Sequence, residues 1–210
     1  MERMKLQLPD GNFEAYLFDC DGTIVDSMPL HYRAWKRIFL EHGCEFTEAT
    51  HYSLGGMPTE EIVAMLNAQQ GLKMSPAEVS LQKEEYYYEI MHQLEAVPEV
   101  LEEIHRRHGE IPFAVVSGGT RESVTRSLRA LHILDRFQTL ICAEDYVKSK
   151  PDPEPYLTAA KRLGIAPKNC LVFEDTAIGI QAAEAAGMPW VKILQPWERV
   201  ADSDPVLKKE

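Results

Sequence analysis

Asp19 and Asp21 stand two residues apart at the end of an apolar run, in Tyr16-Leu17-Phe18-Asp19-Cys20-Asp21-Gly22-Thr23. Two carboxylates beside a core are costly to hold together unless a cation or strong hydrogen bonds compensate. A sequence that keeps such a pair points to metal binding, nucleophilic attack or proton transfer. Residues 15–18 are apolar without alternation, which predicts a parallel strand covered on both faces. Side chains on a strand repeat every two residues, so both carboxylates should leave its end toward the same side. Gly22 then permits a turn that a side chain would hinder.

Further apolar runs also end in polar residues. Residues 112–116 run into Ser117-Gly118-Gly119-Thr120, residues 139–143 into Glu144-Asp145, and residues 170–173 into Glu174-Asp175. Helical periods over 122–131, 154–163 and 177–186 lie between them, the last stopped by Gly187 and followed by a strand over 190–194. Strands alternating with helices imply a parallel sheet with right-handed crossovers. Ligands of such sheets bind outside the carboxyl ends of the strands, so these polar termini are expected to share one crevice. Residues 27–97 read differently. Leu30, Ala34 and Ile38 recur at helical spacing after Pro29 and before Gly43; Ile62, Met65 and Leu66 share a face of a second helix opened by Pro58-Thr59-Glu60-Glu61; Pro76 opens a third that runs through Glu84 to Leu94. A stretch of about 70 residues without a buried strand is too long for an ordinary strand–helix connection. It is expected to be a helical cap over the crevice, inserted into a core formed by residues 1–26 and 98–210.

Composition narrows the chemistry. The chain has 210 residues, 45% of them hydrophobic, enough to build a core. A formal net charge of −11 argues against nucleic acid held on a broad basic face. It is compatible with a small anionic substrate, because a metal and one or two local cations reverse the field inside a pocket. No apolar stretch approaches the roughly 20 residues of a membrane helix, and residues 1–11 lack a signal-peptide core, so no membrane partner is expected. Cys20, Cys44, Cys142 and Cys170 are too scattered for a zinc site or a disulfide framework. They read as reduced thiols in a cytoplasmic protein.

Four motifs in order carry a resemblance: Asp19-Cys20-Asp21-Gly22-Thr23, then Ser117, then Lys150 in Lys150-Pro151-Asp152-Pro153, then Glu174-Asp175 before Thr176-Ala177-Ile178-Gly179. Over residues 15–194 the chain resembles a haloacid dehalogenase-superfamily phosphatase, an α/β fold with a Rossmann-like parallel-sheet core and an inserted helical cap. The resemblance implies a Mg²⁺-dependent enzyme in which Asp19 is the nucleophile and forms an aspartyl-phosphate. Asp21 would be the proton donor and acceptor. Mg²⁺ would be held by the side chains of Asp19 and Asp175 and the backbone carbonyl of Asp21, with Glu174 either a ligand or an outer partner. A hard oxygen site suits that ion. Ser117 and Gly118 would bind phosphate oxygens, and Lys150 would hold both phosphate and carboxylates.

Within the superfamily, His31-Tyr32-Arg33-Ala34-Trp35-Lys36 resembles the first cap helix of the β-phosphoglucomutase-like branch. His31 reads as a hinge hydrogen-bonder or a solvated helix histidine, and Trp35 as a sugar platform or a core aromatic. Gly56 and Thr59 belong to the cap loop Leu54-Gly55-Gly56-Met57-Pro58-Thr59. Mutases of this branch carry an arginine in that loop, and here no Lys or Arg lies between Arg37 and Lys73. A bisphosphate intermediate needs cap-side cations, so hydrolysis is favoured, on small sugar phosphates of the fructose-1-phosphate kind. The enzyme alternative is a sugar phosphomutase; the non-enzyme alternative is a metabolite-binding regulatory protein that retains the fold. The expected partner is a small phosphorylated metabolite, and the expected assembly a monomer or weak homodimer.

Overall fold

A computed structural model describes residues 6–54, 57, 59–195 and 198. In chain order the elements are β1 (Ala15–Phe18), β2 (Val25–Asp26), α1 (Met28–Glu41), α2 (Glu48–Ser53), α3 (Thr59–Gln70), α4 (Pro76–Ile90), β3 (Glu95–Ala96), α5 (Pro98–Arg107), β4 (Phe113–Val116), α6 (Arg121–Ala130), β5 (Thr139–Ile141), α7 (Glu154–Leu163), β6 (Cys170–Glu174), α8 (Ala177–Ala185) and β7 (Trp190–Lys192). Two compact units result, one over Ser27–Glu95 and the other formed by the chain on both sides of it.

The larger unit is an α/β Rossmann-like fold, a five-stranded sheet in the order β5-β4-β1-β6-β7 with every pairing parallel. β1 is central, with β4 added on one side and β6 on the other, which makes its carboxyl end the switch point where a crevice opens. Registers align Tyr16 with Phe113 and Leu171, and Phe18 with Val115 and Phe173. Alternation gives the sheet two different faces. Tyr16, Phe18, Phe113, Phe137 and Phe173 form an aromatic layer, Phe18 and Phe173 stacked at 4.5 Å. On the other face Ala15, Leu17, Ala114, Val116 and Val172 pack with Tyr156, Ala159, Ala160, Ala182 and Ala183 of α7 and α8. The small residues let these helices sit close to the strands, and Tyr156 enters the core beneath the carboxyl ends.

The smaller unit holds α1 to α4. Leu30, Ala34 and Ile38 are buried on α1, as their spacing requires, and Ile62, Val63 and Leu66 on α3. The α3–α4 connection is closed by Asn67, whose side chain accepts from the Met74 N–H and donates to its carbonyl, 2.9 and 2.8 Å. The expected strand-free stretch does contain a two-residue strand, β3, which pairs with β2. At two residues, Glu95-Ala96, it is too short to give an apolar run to read. α2 and α5 were likewise not anticipated: α2 has six residues, too few for a period to show.

Candidate active site

The end of β1 places the first carboxylate. The Asp19 N–H donates to the Phe173 carbonyl at 3.0 Å, so the β1–β6 ladder runs one residue beyond the strand and fixes the Asp19 backbone. The chain then turns: the Cys20 carbonyl accepts from the N–H groups of Ile24 and Val25, both 2.9 Å, and Gly22 takes φ +84°. A β-carbon at Gly22 would collide with the Asp175 carboxylate, so glycine is required twice over, by backbone conformation and by space.

Lys150 is the hub. Its ammonium donates to Asp19 Oδ1 at 2.7 Å, Glu174 Oε1 at 2.5 Å and the Val116 carbonyl at 3.0 Å, using all three protons. Burial alone would lower its pKa, but Asp19, Tyr156 and Glu174 outweigh burial and hold it well above the usual lysine range. Glu174 is equally committed. Its Oε1 accepts from Lys150 and from the Tyr156 hydroxyl at 3.0 Å; its Oε2 accepts from the Thr176 N–H and hydroxyl at 3.0 and 2.9 Å. Against the upward pull of burial, Lys150 and the Thr176 donors keep its carboxyl below the usual value. Gly179 belongs to the same arrangement, because a β-carbon there would overlap the Glu174 carboxylate.

Asp175 is held differently. Thr23 Oγ1 donates to its Oδ1 at 3.1 Å and the Gln195 amide to its Oδ2. Burial, then the charge of Glu174, push its pKa up to about 7. Asp19 is also raised well above the carboxylate range, first by burial, with Lys150 opposing and Glu174 and Asp175 adding to the rise. One carboxylate oxygen each from Asp19, Glu174 and Asp175 lies within 4.8 Å of the others. Three carboxylates thus gather about one ammonium, which bonds two of them, and burial first, then their mutual repulsion, raises Asp19 and Asp175. A hard divalent cation fits this donor set, because oxygen ligands of net negative charge are what it requires.

The β4 end supplies the facing loop. Ser117 is buried, its hydroxyl accepts from the Gly119 N–H at 3.0 Å, and its carbonyl accepts from the Tyr146 hydroxyl at 3.1 Å. Gly118 beside it is exposed. A β-carbon on Gly119 would stand 3.8 Å from Asp21 Oδ2, which places the Asp21 carboxylate against this loop. Asp19, Asp21, Ser117, Lys150, Glu174 and Asp175 thus converge from the ends of β1, β4 and β6 and the loop before α7.

The residues expected to serve from the smaller unit fare differently. Trp35 is 2% exposed and stacks on Phe39 at 4.7 Å and 9°, which makes it core rather than a sugar platform. His31 is half-buried and stacks on Tyr87 at 4.0 Å. Thr59 is the first residue of α3, followed by Glu60 and Glu61 in its first turn. Gly56, with Gly55 and Pro58, lies outside the described residues. One cation escaped the sequence reading: Lys83 of α4 is buried, pairs with Glu84 at 2.6 Å, and lies 5.5 and 5.3 Å from the Trp35 and Tyr87 rings. Tyr156 and Gln195 also went unread. Tyr156 had no distinguishing mark within a helical pattern. Gln195 had one: it continues the alternation of Val191 and Ile193, which are buried, and is itself only 6% exposed.

A parallel sheet with carboxylates, a lysine and a serine loop gathered at its strand ends has the form of an α/β enzyme of the Rossmann-like class. Residues 16–193 match the haloacid dehalogenase-like hydrolase family model, and the chain belongs to that family. It is 30% identical to a fructose-1-phosphate phosphatase of Escherichia coli over 86% of this chain and 96% of that protein. It is 31% identical to a phosphorylated carbohydrates phosphatase of Thermotoga maritima over 83% of this chain and 82% of that one. Among solved structures it resembles the β-phosphoglucomutase of Clostridium difficile, with a TM-score of 0.73, 26% identity, and 85% and 83% of the two chains covered.

Proposed function

We propose that the chain is a Mg²⁺-dependent phosphatase of small phosphorylated metabolites, with sugar monophosphates as its substrate class, acting through an aspartyl-phosphate on Asp19. The observation that carries this reading is the buried cluster in which Lys150 bridges Asp19 and Glu174 while Asp175 closes the oxygen set. Similarity to phosphatases of fructose 1-phosphate and of phosphorylated carbohydrates supports the substrate class.

Asp19 and Asp175 would hold the cation through their side chains and Asp21 through its backbone carbonyl. When bound, Mg²⁺ screens the phosphate charge that would otherwise repel an attacking carboxylate. Glu174 is the outer partner: its two oxygens already accept four hydrogen bonds, the full capacity of a carboxylate. Its task is to balance Lys150 and keep that ammonium against Asp19. An Asp19 oxygen attacks phosphorus, and the bond to the leaving oxygen breaks. Asp21, in its acid form, gives that oxygen a proton. Asp21, now a carboxylate, takes a proton from water as the water oxygen attacks the acyl-phosphate. Inorganic phosphate leaves and Asp19 returns as a carboxylate. Ser117 and the N–H groups of its loop hold the equatorial phosphate oxygens.

A sugar phosphomutase is the second reading, favoured by the likeness to β-phosphoglucomutase and by the buried Lys83. Against it, the charge of Lys83 is matched by Glu84, residues 38–72 contain no Lys or Arg, and Glu60 and Glu61 occupy the start of α3. Incubation with hexose 1-phosphates, with and without a hexose bisphosphate primer, separates the two. Stoichiometric free phosphate is expected in both arms; isomer without phosphate release would overturn the phosphatase reading. Asp19→Asn should lower phosphate release at least about 10³-fold with the circular dichroism spectrum unchanged.

A further inference from the structure

Gln195 lies outside every motif of the site yet reaches its centre. The chain stays beside β6 one residue past the end of β7, because the Ile193 N–H donates to the carbonyl of Glu174, the last residue of β6, at 2.7 Å. The alternation that buries Val191 and Ile193 then turns the Gln195 side chain inward. Its backbone is pinned: Glu198 accepts from the Gln195 N–H at 2.9 Å and from Lys192 Nζ at 2.5 Å. The inward amide donates to Asp175 Oδ2 and lies 3.5 Å from the Gly22 carbonyl. Both partners are acceptors, so the nitrogen is the atom that faces them. A β-carbon at Gly22 would come within 2.9 Å of that nitrogen, so the turn after β1, the Asp175 carboxylate and the amide occupy one close-packed point.

The two carboxylates after β6 are therefore treated in opposite ways. Lys150 neutralises Glu174. Asp175 receives a neutral hydroxyl from Thr23 and a neutral amide from Gln195. Neutral donors fix the plane of a carboxylate without cancelling its charge, which is what a carboxylate needs if a cation is to use it. We propose that Gln195 is a positioning residue for the cation site, acting through Asp175. The inference rests on the Mg²⁺ reading above. Loss of an outer hydrogen bond to a metal-binding group commonly costs 10- to 100-fold in metal affinity.

The test is calorimetric titration of the full chain with Mg²⁺ alone, no substrate present. Gln195→Met keeps the side-chain length and removes the donor; Gln195→Asn keeps the amide and withdraws it by one methylene, so either variant serves if the other folds poorly. Both are expected to raise the Mg²⁺ Kd about tenfold, with circular dichroism like the parent's. Lost phosphatase turnover should be recovered by raising Mg²⁺, a recovery that a general packing defect would not show. A Kd within twofold of the parent's, in a folded variant, overturns the role of Gln195 while Asp175→Asn still abolishes binding. If Asp175→Asn itself leaves Kd unchanged, the cation-site reading fails, and the inference with it.

Discussion

At the scale of single residues, the site is organised by what each polar atom has already spent. Lys150 has three acceptors for three protons, and Glu174 has four donors for its lone pairs. Such a pair adds little net stability, but a member left without its partner is costly. Tyr156 is where this can be probed without deleting a charge. Its hydroxyl is fully buried and donates to Glu174 Oε1, and its ring lies 4.9 Å from the Lys150 ammonium. Tyr156→Phe keeps the ring and removes one of two donors on Oε1. Expected are a loss of about 1–2 kcal/mol in stability and a severalfold fall in kcat with little change in KM, read from urea denaturation and steady-state phosphate release. A variant with parental kcat would mean that Lys150 alone suffices to hold Glu174.

At the scale of elements, the strands that carry the chemistry were legible because each is a short apolar run stopped by polar residues. β1, β4 and β6 fall where the pattern puts them, as does α7 at Glu154–Leu163. What stayed hidden had no periodic mark: β3 is only two residues long, and α2 only six. Trp35 shows why a motif cannot tell platform from core, since only the ring of Phe39 lying parallel to it settles the matter. α2 is too short to hold itself as a helix and depends on docking. His51 supplies it, its Nε2 lying 3.0 Å from the Met28 carbonyl at the start of α1. A carbonyl only accepts, so Nε2 carries a proton. Burial, then the neighbouring His31, lower the His51 pKa from 6.5 to about 4. Below pH 6.5 the unfolded chain takes up a proton that the folded one refuses until about pH 4. This contribution, about 2 kcal/mol after solvent screening, is present above pH 6.5 and lost as pH falls toward 4. Asp175 contributes in the opposite direction over the same range, so the readout is the difference between parent and variant: the urea midpoint of the parent minus that of His51→Gln should fall between pH 7 and pH 5. A difference that stays constant with pH would place the acid sensitivity elsewhere.

At the scale of the whole molecule, a chain of net charge −11 concentrates carboxylates at the one place where its strands end. Asp175 then carries a stability cost of the opposite sign to that of His51. Its pKa rises from 3.8 to about 7, so the folded chain keeps a proton that the unfolded chain has released. That contribution is complete below pH 3.8 and disappears as pH rises through about 7. A cation reverses the balance, because it binds the carboxylate rather than the acid and stabilises only the folded state. Mg²⁺ should therefore raise the melting temperature little at pH 5 and strongly at pH 8. A difference of a few kcal/mol in a chain of this size corresponds to at least about 4 °C between the two increments. Sodium chloride at matched ionic strength separates site binding from the relief of net-charge repulsion, which any salt provides. Asp175→Asn should remove the pH-dependence of the Mg²⁺ increment, since an amide neither titrates nor offers a charge. Equal increments at pH 5 and pH 8, or equal effects of sodium and magnesium, would sink the claim that this carboxylate cluster is built around a divalent cation.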